Sequence, residues 1–208
     1  SLTISGNAIL TSLSGMTSLT TITNELNLNN INSLTSLSGL GNVTTLGNLI
    51  ISSMPQLATV GNFLGSVTSL PGNLTLNGNA ALPSFQGLSS LTSLQDLTIL
   101  NNPVLTNING IAKLATVNGQ FWVSLNDALS GFPFCKLESI GTDLIINFNP
   151  ALTQVDAFFN VTAVNDLNVS NNASLSDCSG LCNLIGNVSG STVIIGNASP
   201  CDSPTNVE

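Results

Sequence analysis

The sequence predicts an all-β-rich repeat solenoid, a stack of about nine rungs with little helix. Three observations lead to this fold class: a recurring apolar triplet, an inward-outward alternation within it, and turn-forming residues between triplets. The triplets are Leu2-Thr3-Ile4, Leu26-Asn27-Leu28, Leu49-Ile50-Ile51, Leu74-Thr75-Leu76, Leu97-Thr98-Ile99, Phe121-Trp122-Val123, Leu144-Ile145-Ile146, Leu167-Asn168-Val169 and Val193-Ile194-Ile195. From Ile4 to Ile195 the chain runs 191 residues over eight intervals, so one repeat is about 24 residues long.

Each triplet alternates with a period of two, which is typical of a β-strand. The outer members are predicted to face the core and the middle member to face solvent. Between triplets the apolar residues recur every third position, a spacing that suits turns and very short strands better than a long helix. The pairs Met54-Pro55 and Asn102-Pro103 mark turns just after a strand. Each rung is therefore predicted to be a flattened coil of two or three β segments.

The repeats predict one elongated domain, with stacked repeats over 1–177 and a cysteine-containing closing rung over 178–208. The chain begins directly on a strand triplet without a polar cap, so further repeats or self-assembly are expected at the N-terminal end. No apolar stretch approaches the roughly 20 residues of a membrane helix, and no membrane insertion is predicted.

Charge excludes several kinds of partner. Two basic residues, Lys113 and Lys136, stand against ten carboxylates, and the formal net charge is -8. A chain without a basic stripe cannot neutralise a phosphate backbone, so no nucleic-acid partner is predicted. Disorder is also excluded, because 42% of the residues are apolar and regularly spaced.

A column of carboxylates raises the question of catalysis. Glu25, Asp96, Asp143 and Asp166 each precede a strand triplet. Two carboxylates alone could serve as general acids, but the chain has no histidine or arginine to act as a base or charge clamp beside them. We therefore expect no enzyme activity and no cofactor, and interpret the column as a solvated edge that keeps the sheet soluble.

A second polar column consists of asparagines. They are Asn7, Asn79, Asn102, Asn126, Asn149 and Asn172, with Ile31 and Met54 in the early rungs. An inward amide in stacked turns satisfies backbone groups of the neighbouring rung that would otherwise lack a partner. We predict a structural role for this column.

The segment Leu94-x-x-Leu97-x-Ile99-x-x-Asn102 resembles the signature of leucine-rich repeats, and equivalents run through nearly all of the chain. The return half, rich in Leu-Thr-Ser-Leu and Gly-Leu, departs from the helical return of horseshoe repeats. It is similar to the receptor L-domain branch of the superfamily, a right-handed β-helix-like solenoid of secreted and cell-surface proteins. The resemblance implies extracellular recognition or adhesion, with a protein or glycan ligand at a cell surface. It supplies no catalytic residues.

Three of the four cysteines lie near the C-terminal end, where a solenoid must close its apolar core. Cys182 and Cys201 flank the last triplet and resemble the cysteine-bearing closure of secreted repeat proteins. This resemblance favours a Cys182–Cys201 disulfide, with Cys178–Cys201 as the alternative, and leaves the partners of Cys135 and Cys178 open. Metal ligation is not predicted, because paired Cys-x-x-Cys motifs and histidines are missing from the sequence.

The candidate ligand site is centred on Trp122, the outward middle member of its triplet. Thr98 and Ile145 are its expected neighbours in the same column, and Gln120 and Asp143 lie beside them at the strand edge. An exposed indole there could stack on a sugar ring or anchor a protein loop. The alternative is that a loop such as 125–134 covers Trp122, which then serves only packing.

A second candidate surface is a hydroxyl ladder. Two adjacent columns hold Thr20, Thr44, Thr68 and Thr92, and Thr21, Thr45, Ser69, Ser93, Thr116 and Ser139. A flat, nearly uncharged threonine array resembles the face of solenoid ice-binding proteins, although threonine also stacks well in strands for structural reasons alone. Ice binding, or a structural role in an extracellular filament, is thus the alternative to recognition.

Overall fold

The computed structural model describes residues 1–61 and 63–207, and it confirms an all-β repeat solenoid of about eight turns. The strands are β1 (Leu2–Ser5), β2 (Thr21–Asn29), β3 (Thr45–Ser52), β4 (Leu74–Asn77), β5 (Ser93–Leu94), β6 (Leu97–Leu100), β7 (Thr116–Val117), β8 (Phe121–Ser124), β9 (Ser139–Ile140), β10 (Leu144–Asn147), β11 (Leu167–Ser170) and β12 (Thr192–Ile195). Nine of them form one parallel sheet in the order β1-β2-β3-β4-β6-β8-β10-β11-β12. We number the rungs by these strands, so rung one holds β1 and rung nine holds β12.

The return half of each rung contains little regular structure. β5, β7 and β9 form a second, short parallel sheet. In the described part of the chain the only helices are six 3-10 turns of three residues, at Ser14–Met16, Ser38–Leu40, Asn109–Ile111, Asp156–Phe158, Ser179–Leu181 and Pro204–Asn206. Each rung is thus the flattened coil that the spacing of apolar residues predicts.

The core is one continuous column of inward side chains. In β6, Leu97 and Ile99 are fully buried and Thr98 between them is partly exposed, as the alternation predicts. At rungs six and seven the column contains an aromatic cluster. Its ring centroids lie 5.1–6.0 Å apart, mostly edge to face, among Phe121, Phe132, Phe134 and Phe158. Phe132 and Phe158 are both buried.

The prediction for the last rung is wrong by one residue. Thr192, not Val193, pairs with Leu167, and Ile194 pairs with Val169. Ile194 is therefore buried, whereas Val193 and Ile195 are 40% and 59% exposed. A shift of one residue moves every side chain of a strand to the opposite face. Three consecutive apolar residues carry no alternation, so the triplet itself could not set the register.

The asparagine column forms a buried hydrogen-bonded ladder, which confirms its predicted structural role. The Nδ2 of Asn102 donates to Leu76 O in the rung before, to Leu100 O in its own rung, and to the Oδ1 of Asn126 in the rung after, at 2.9–3.2 Å. The backbone N–H of Asn102 donates to that same Oδ1 at 3.2 Å. One amide thus satisfies backbone carbonyls of two rungs and bonds the asparagine side chain of a third, among buried residues.

The ladder is shifted toward the C-terminal end relative to the prediction. Asn7 is exposed and its Nδ2 bonds only its own turn, at Ser5 O. Asn197 Oδ1 accepts hydrogen bonds from the backbone N–H and the Nδ2 of Asn172, at 3.0 and 3.2 Å. The sequence analysis did not place Asn197 in this column because it assigned the wrong register to rung nine. At the other end the ladder starts at Asn79, whose buried Oδ1 has no partner among the described residues. The buried, apolar Met54 occupies the preceding position.

We expect Asn126→Ala to lower the free energy of unfolding by about 3 kcal/mol, because a buried polar group left without a partner costs about 1–3 kcal/mol. The change removes the bonds from Nδ2 to Ile99 O and Ser124 O and the acceptor of Asn102 N. Urea denaturation measures the loss. The control is Asn7→Ala, the exposed residue of the same column, which should change stability little. Equal losses in the two variants would contradict a structural ladder.

The disulfide joins Cys178 to Cys201, with 5.7 Å between the two Cα atoms. The favoured pairing Cys182–Cys201 is therefore wrong, and the alternative is correct. Cys178 occupies the inward apolar column of its rung and is buried, as is Cys201. Cys182 is exposed, four residues further on, and its Sγ lies 2.9 Å from Val207 O. Cys135 is also exposed and unbridged within the described chain.

Removing the disulfide should loosen the C-terminal rung. The bridge closes a loop across a sequence separation of 23 residues, for which chain entropy predicts a stabilisation of about 3 kcal/mol. We expect Cys178→Ala to lower the thermal midpoint and Cys182→Ser to leave it nearly unchanged. Peptide mapping without reductant should recover Cys178 linked to Cys201. Recovery of a Cys182–Cys201 peptide would contradict this assignment.

Candidate functional site on the strand face

The outward column of the large sheet places Trp122 between Thr98 and Ile145. Both pair directly with Trp122 on the adjacent rungs, as predicted. Gln120 and Asp143 also come together, since Gln120 Nε2 donates to Asp143 Oδ2 at 3.2 Å. All five predicted residues of this site are thus neighbours on one face of rungs five to seven.

The expected exposure of the indole needs correction. Trp122 is only partly exposed, and its Nε1 is buried with no partner among the described residues. Ser124, two residues on along the same outward face, is buried as well. The indole N–H is therefore not presented to a ligand in this structure. Only part of the side chain is accessible. Trp122 is therefore neither the fully exposed indole nor the fully covered one that the sequence analysis considered.

The carboxylate column is not merely a solvated edge. Asp96 Oδ1 accepts the backbone N–H of Gln120 at 2.8 Å, and Asp143 Oδ1 accepts that of Asp166 at 3.2 Å. Asn48 and Asn73 make the same bond to the next rung, to Asn73 N and Asp96 N. These residues form a second ladder, which bonds successive rungs just before the strands.

The last carboxylate of this ladder is Asp166. The backbone N–H of Ser191 and, to a smaller extent, its hydroxyl donate to Asp166 Oδ1 and lower the pKa of this carboxyl from its ordinary value, while burial acts in the opposite direction. A carboxyl whose pKa is lowered by folding stabilises the fold at pH values above its unfolded pKa. That stabilisation is lost as the pH falls through the folded pKa.

We therefore expect Asp166→Asn to reduce the loss of stability between pH 5 and pH 2, since an amide keeps an oxygen acceptor but does not titrate. Urea midpoints measured across this range would show a shallower acid dependence than in the parent chain. The exposed Asp127, changed to Asn, is the control for the change in net charge. Identical acid profiles for Asp166→Asn and the parent would contradict the assignment.

The residue just after each strand adopts a left-handed backbone conformation. Most rungs have glycine, asparagine or serine there, namely Gly6, Asn30, Ser53, Gly78, Asn101, Asn171 and Gly196. Rungs six and seven instead have Leu125 and Phe148, with φ of 59° and 54°. The left-handed conformation costs roughly 1–2 kcal/mol for a residue with a Cβ atom. Leu125 and Phe148 are also 50% and 49% exposed, so burial does not account for their presence.

These two residues extend the site around Trp122. Leu100 and Ile145 are partly exposed on the same outward face as Trp122, and Leu125 and Phe148 are half exposed at the turns where β8 and β10 end. We call this set the strand-face platform: Leu100, Trp122, Leu125, Ile145 and Phe148. Sequence reasoning missed Leu100, Leu125 and Phe148. The signal for the last two was their place directly before a ladder asparagine, where other rungs have residues that favour φ > 0.

The predicted hydroxyl ladder exists as a stacked, exposed column. Thr20, Thr44, Thr68 and Thr92 are all exposed, and Thr21 pairs with Thr45. Two of the hydroxyls donate to the backbone of the rung before: Thr44 Oγ1 to Thr20 O at 3.3 Å and Thr92 Oγ1 to Thr68 O at 3.0 Å. A similar exposed column that the sequence analysis did not identify lies elsewhere on the return half, at Thr11, Thr35, Thr106, Ser130, Thr153 and Ser176.

The first rung contains an open recess of about 600 Å³ lined by Leu2, Met16, Leu19 and Ile22, among others. Leu2, Met16 and Leu19 are only partly buried. In residues 1–61 and 63–207 no group of histidine, cysteine or carboxylate side chains is arranged to hold a metal ion. The same residues include no helix that could cross a membrane.

Comparisons with protein-family models, with curated proteins and with solved structures find no match to this chain.

Proposed function

We propose that this chain is a non-catalytic recognition or adhesion module, which binds its ligand through the strand-face platform. The observation that supports this most directly is the pair Leu125 and Phe148, apolar and half exposed at backbone positions that disfavour them. Residues in strained conformations persist where the surrounding structure imposes them, and they cluster at functional sites. Exposed apolar patches are likewise typical of interaction surfaces.

We also propose an extracellular location, secreted or displayed at a cell surface, and membership of the receptor L-domain-like leucine-rich-repeat proteins. The Cys178–Cys201 disulfide supports the location, because structural disulfides persist mainly in oxidising compartments. The repeat signature described above supports the family.

The hydroxyl ladder supports ice binding less well than the platform supports recognition. The hydroxyls of Thr44 and Thr92 donate to backbone carbonyls of the adjacent rung, so they already serve the fold. The column also ends at Ala115 and Glu138 in rungs five and six.

The double variant Leu125→Asn, Phe148→Asn tests the proposed function. Asn101 and Asn171 occupy the same position in the neighbouring rungs, so asparagine fits the backbone there and the thermal midpoint should be unchanged or higher. We expect the parent chain to bind members of a printed array of glycans and peptides and the double variant to lose that binding.

The control is Ile9→Asn, Phe159→Asn, which removes two exposed apolar side chains outside the platform. Ile9 is 91% exposed and Phe159 is 55% exposed. It should bind as the parent does. Retained binding in the platform variant, together with loss in the control, would contradict the assignment of the site.

A further inference from the structure

Two carboxylates border the strand-face platform on either side of Trp122. Asp96 and Asp143 lie on the adjacent rungs, two residues before Thr98 and Ile145, the direct neighbours of Trp122. With about 4.8 Å between rungs and about 3.3 Å per residue along a strand, each Cα lies roughly 8 Å from that of Trp122. Both carboxylates are partly exposed. Oδ1 of each is engaged in the ladder, whereas Oδ2 of Asp96 accepts no hydrogen bond from the described residues.

No cation of the chain offsets these charges. Lys113 and Lys136 are the only basic side chains, and both are exposed on return segments, outside the strands of the large sheet. The net charge of -8 adds to the local field. The platform is thus an apolar surface in a negative potential, which attracts cationic partners and repels anionic ones.

Several of the polar groups that could bind a neutral sugar are covered or engaged, whereas Asp96 Oδ2, a charged acceptor, has no hydrogen-bond donor among the described residues. Trp122 Nε1 and Asn147 Oδ1 are buried and have no hydrogen-bond partner within residues 1–61 and 63–207. The amide of Gln120 is held by Asp143. Sugar hydroxyls bind through such donors and acceptors, whereas a cation needs only an accessible ring face and nearby negative charge.

We propose that the ligand of the strand-face platform is a cationic polypeptide segment. An arginine or lysine side chain lies over Trp122, with its charge between Asp96 and Asp143, while an adjacent apolar residue of the segment packs on Leu125 and Phe148. This inference rests on the proposed recognition function and specifies its partner. The ligand is then held by its positive charge and by apolar contacts, and not by hydrogen bonds to sugar hydroxyls.

The second ladder provides variants that remove charge without disturbing the fold. Asn48 and Asn73 already make the backbone bond that Asp96 and Asp143 make, so Asp96→Asn, Asp143→Asn keeps the Oδ1 acceptor of each ladder bond. The side-chain amide of Gln120, which donates to Asp143 Oδ2, can turn its oxygen toward the Nδ2 that replaces this acceptor. The matched control is Glu138→Gln, Asp156→Asn, which changes the net charge equally at two exposed residues outside the strands. Thermal midpoints of all three proteins should agree.

Trp122 is the only tryptophan, so its fluorescence reports directly on the platform. The probes are the capped peptide Leu-Arg-Leu-Arg-Leu, the same peptide with citrulline in place of arginine, and cellohexaose. Citrulline keeps the shape of arginine but has no charge.

We expect the arginine peptide to change the fluorescence of Trp122 in a saturable way, and the citrulline peptide to bind about tenfold more weakly or not at all. Raising the salt from 50 to 500 mM should weaken binding by about tenfold, because exposed charges are then screened. The Asp96→Asn, Asp143→Asn variant should lose about tenfold in affinity, while the control changes by less than about twofold.

Equal binding of the arginine and citrulline peptides, or equal affinities of the two charge variants, would overturn the inference. So would a failure of the arginine peptide to bind. Titration by cellohexaose instead would overturn the cationic partner and leave the platform as a recognition site, which separates this inference from the proposed function. The proposed recognition function has its own test, which is the loss of binding in the platform variant Leu125→Asn, Phe148→Asn.

Discussion

Each buried asparagine amide of the ladder bonds three successive rungs at once. Asn102 donates to a carbonyl of rung four, to one of its own rung and to the asparagine of rung six. A solenoid rung cannot bury its apolar face alone, so it depends on its neighbours being held in a fixed register. Strand pairing supplies part of that register, and the ladder fixes it further at the turn where the strand ends. Rungs two and three, which have no asparagine at this position, fill the same place with the buried apolar side chains of Ile31 and Met54.

The strand face is bounded by two such ladders. The asparagines bond the rungs just after the strands, and Asn48, Asn73, Asp96, Asp143 and Asp166 bond them just before. Among the described residues, the outward side chains between these two edges make no hydrogen bond from one rung to another. They are therefore free to differ from rung to rung without changing the fold. In the described chain the large apolar residues of this face are concentrated at rungs five to seven, with Ile50, Val193 and Ile195 as outliers.

The repeat of the triplets was enough to predict the large sheet, and the asparagine column was enough to predict a structural ladder, because both depend on a period that sequence displays directly. Other features depend on information that no local pattern contains. The register of rung nine was ambiguous, since Val193, Ile194 and Ile195 are all apolar. The disulfide partner depended on which cysteine lies in the inward column. Counting from Leu175 places Cys178 where Val155 stands in the rung before, and this count would have favoured the correct pair.

The sequence was enough to predict the centre of the candidate site, around Trp122, but not its edge at Leu125 and Phe148. The neighbours of Trp122 follow from strand register, which the triplets define. The importance of Leu125 and Phe148 follows from their backbone conformation, which becomes visible only when the turn is built. A leucine or phenylalanine with φ > 0 costs stability that asparagine or glycine would not, and neither residue recovers that cost by burial. The hydroxyls of Thr44 and Thr92, by contrast, are bonded to the adjacent rung and so contribute to the fold itself. A surface that stabilises the stack needs no further explanation, whereas one that weakens it does, and for this reason the platform rather than the hydroxyl ladder is the better candidate for binding.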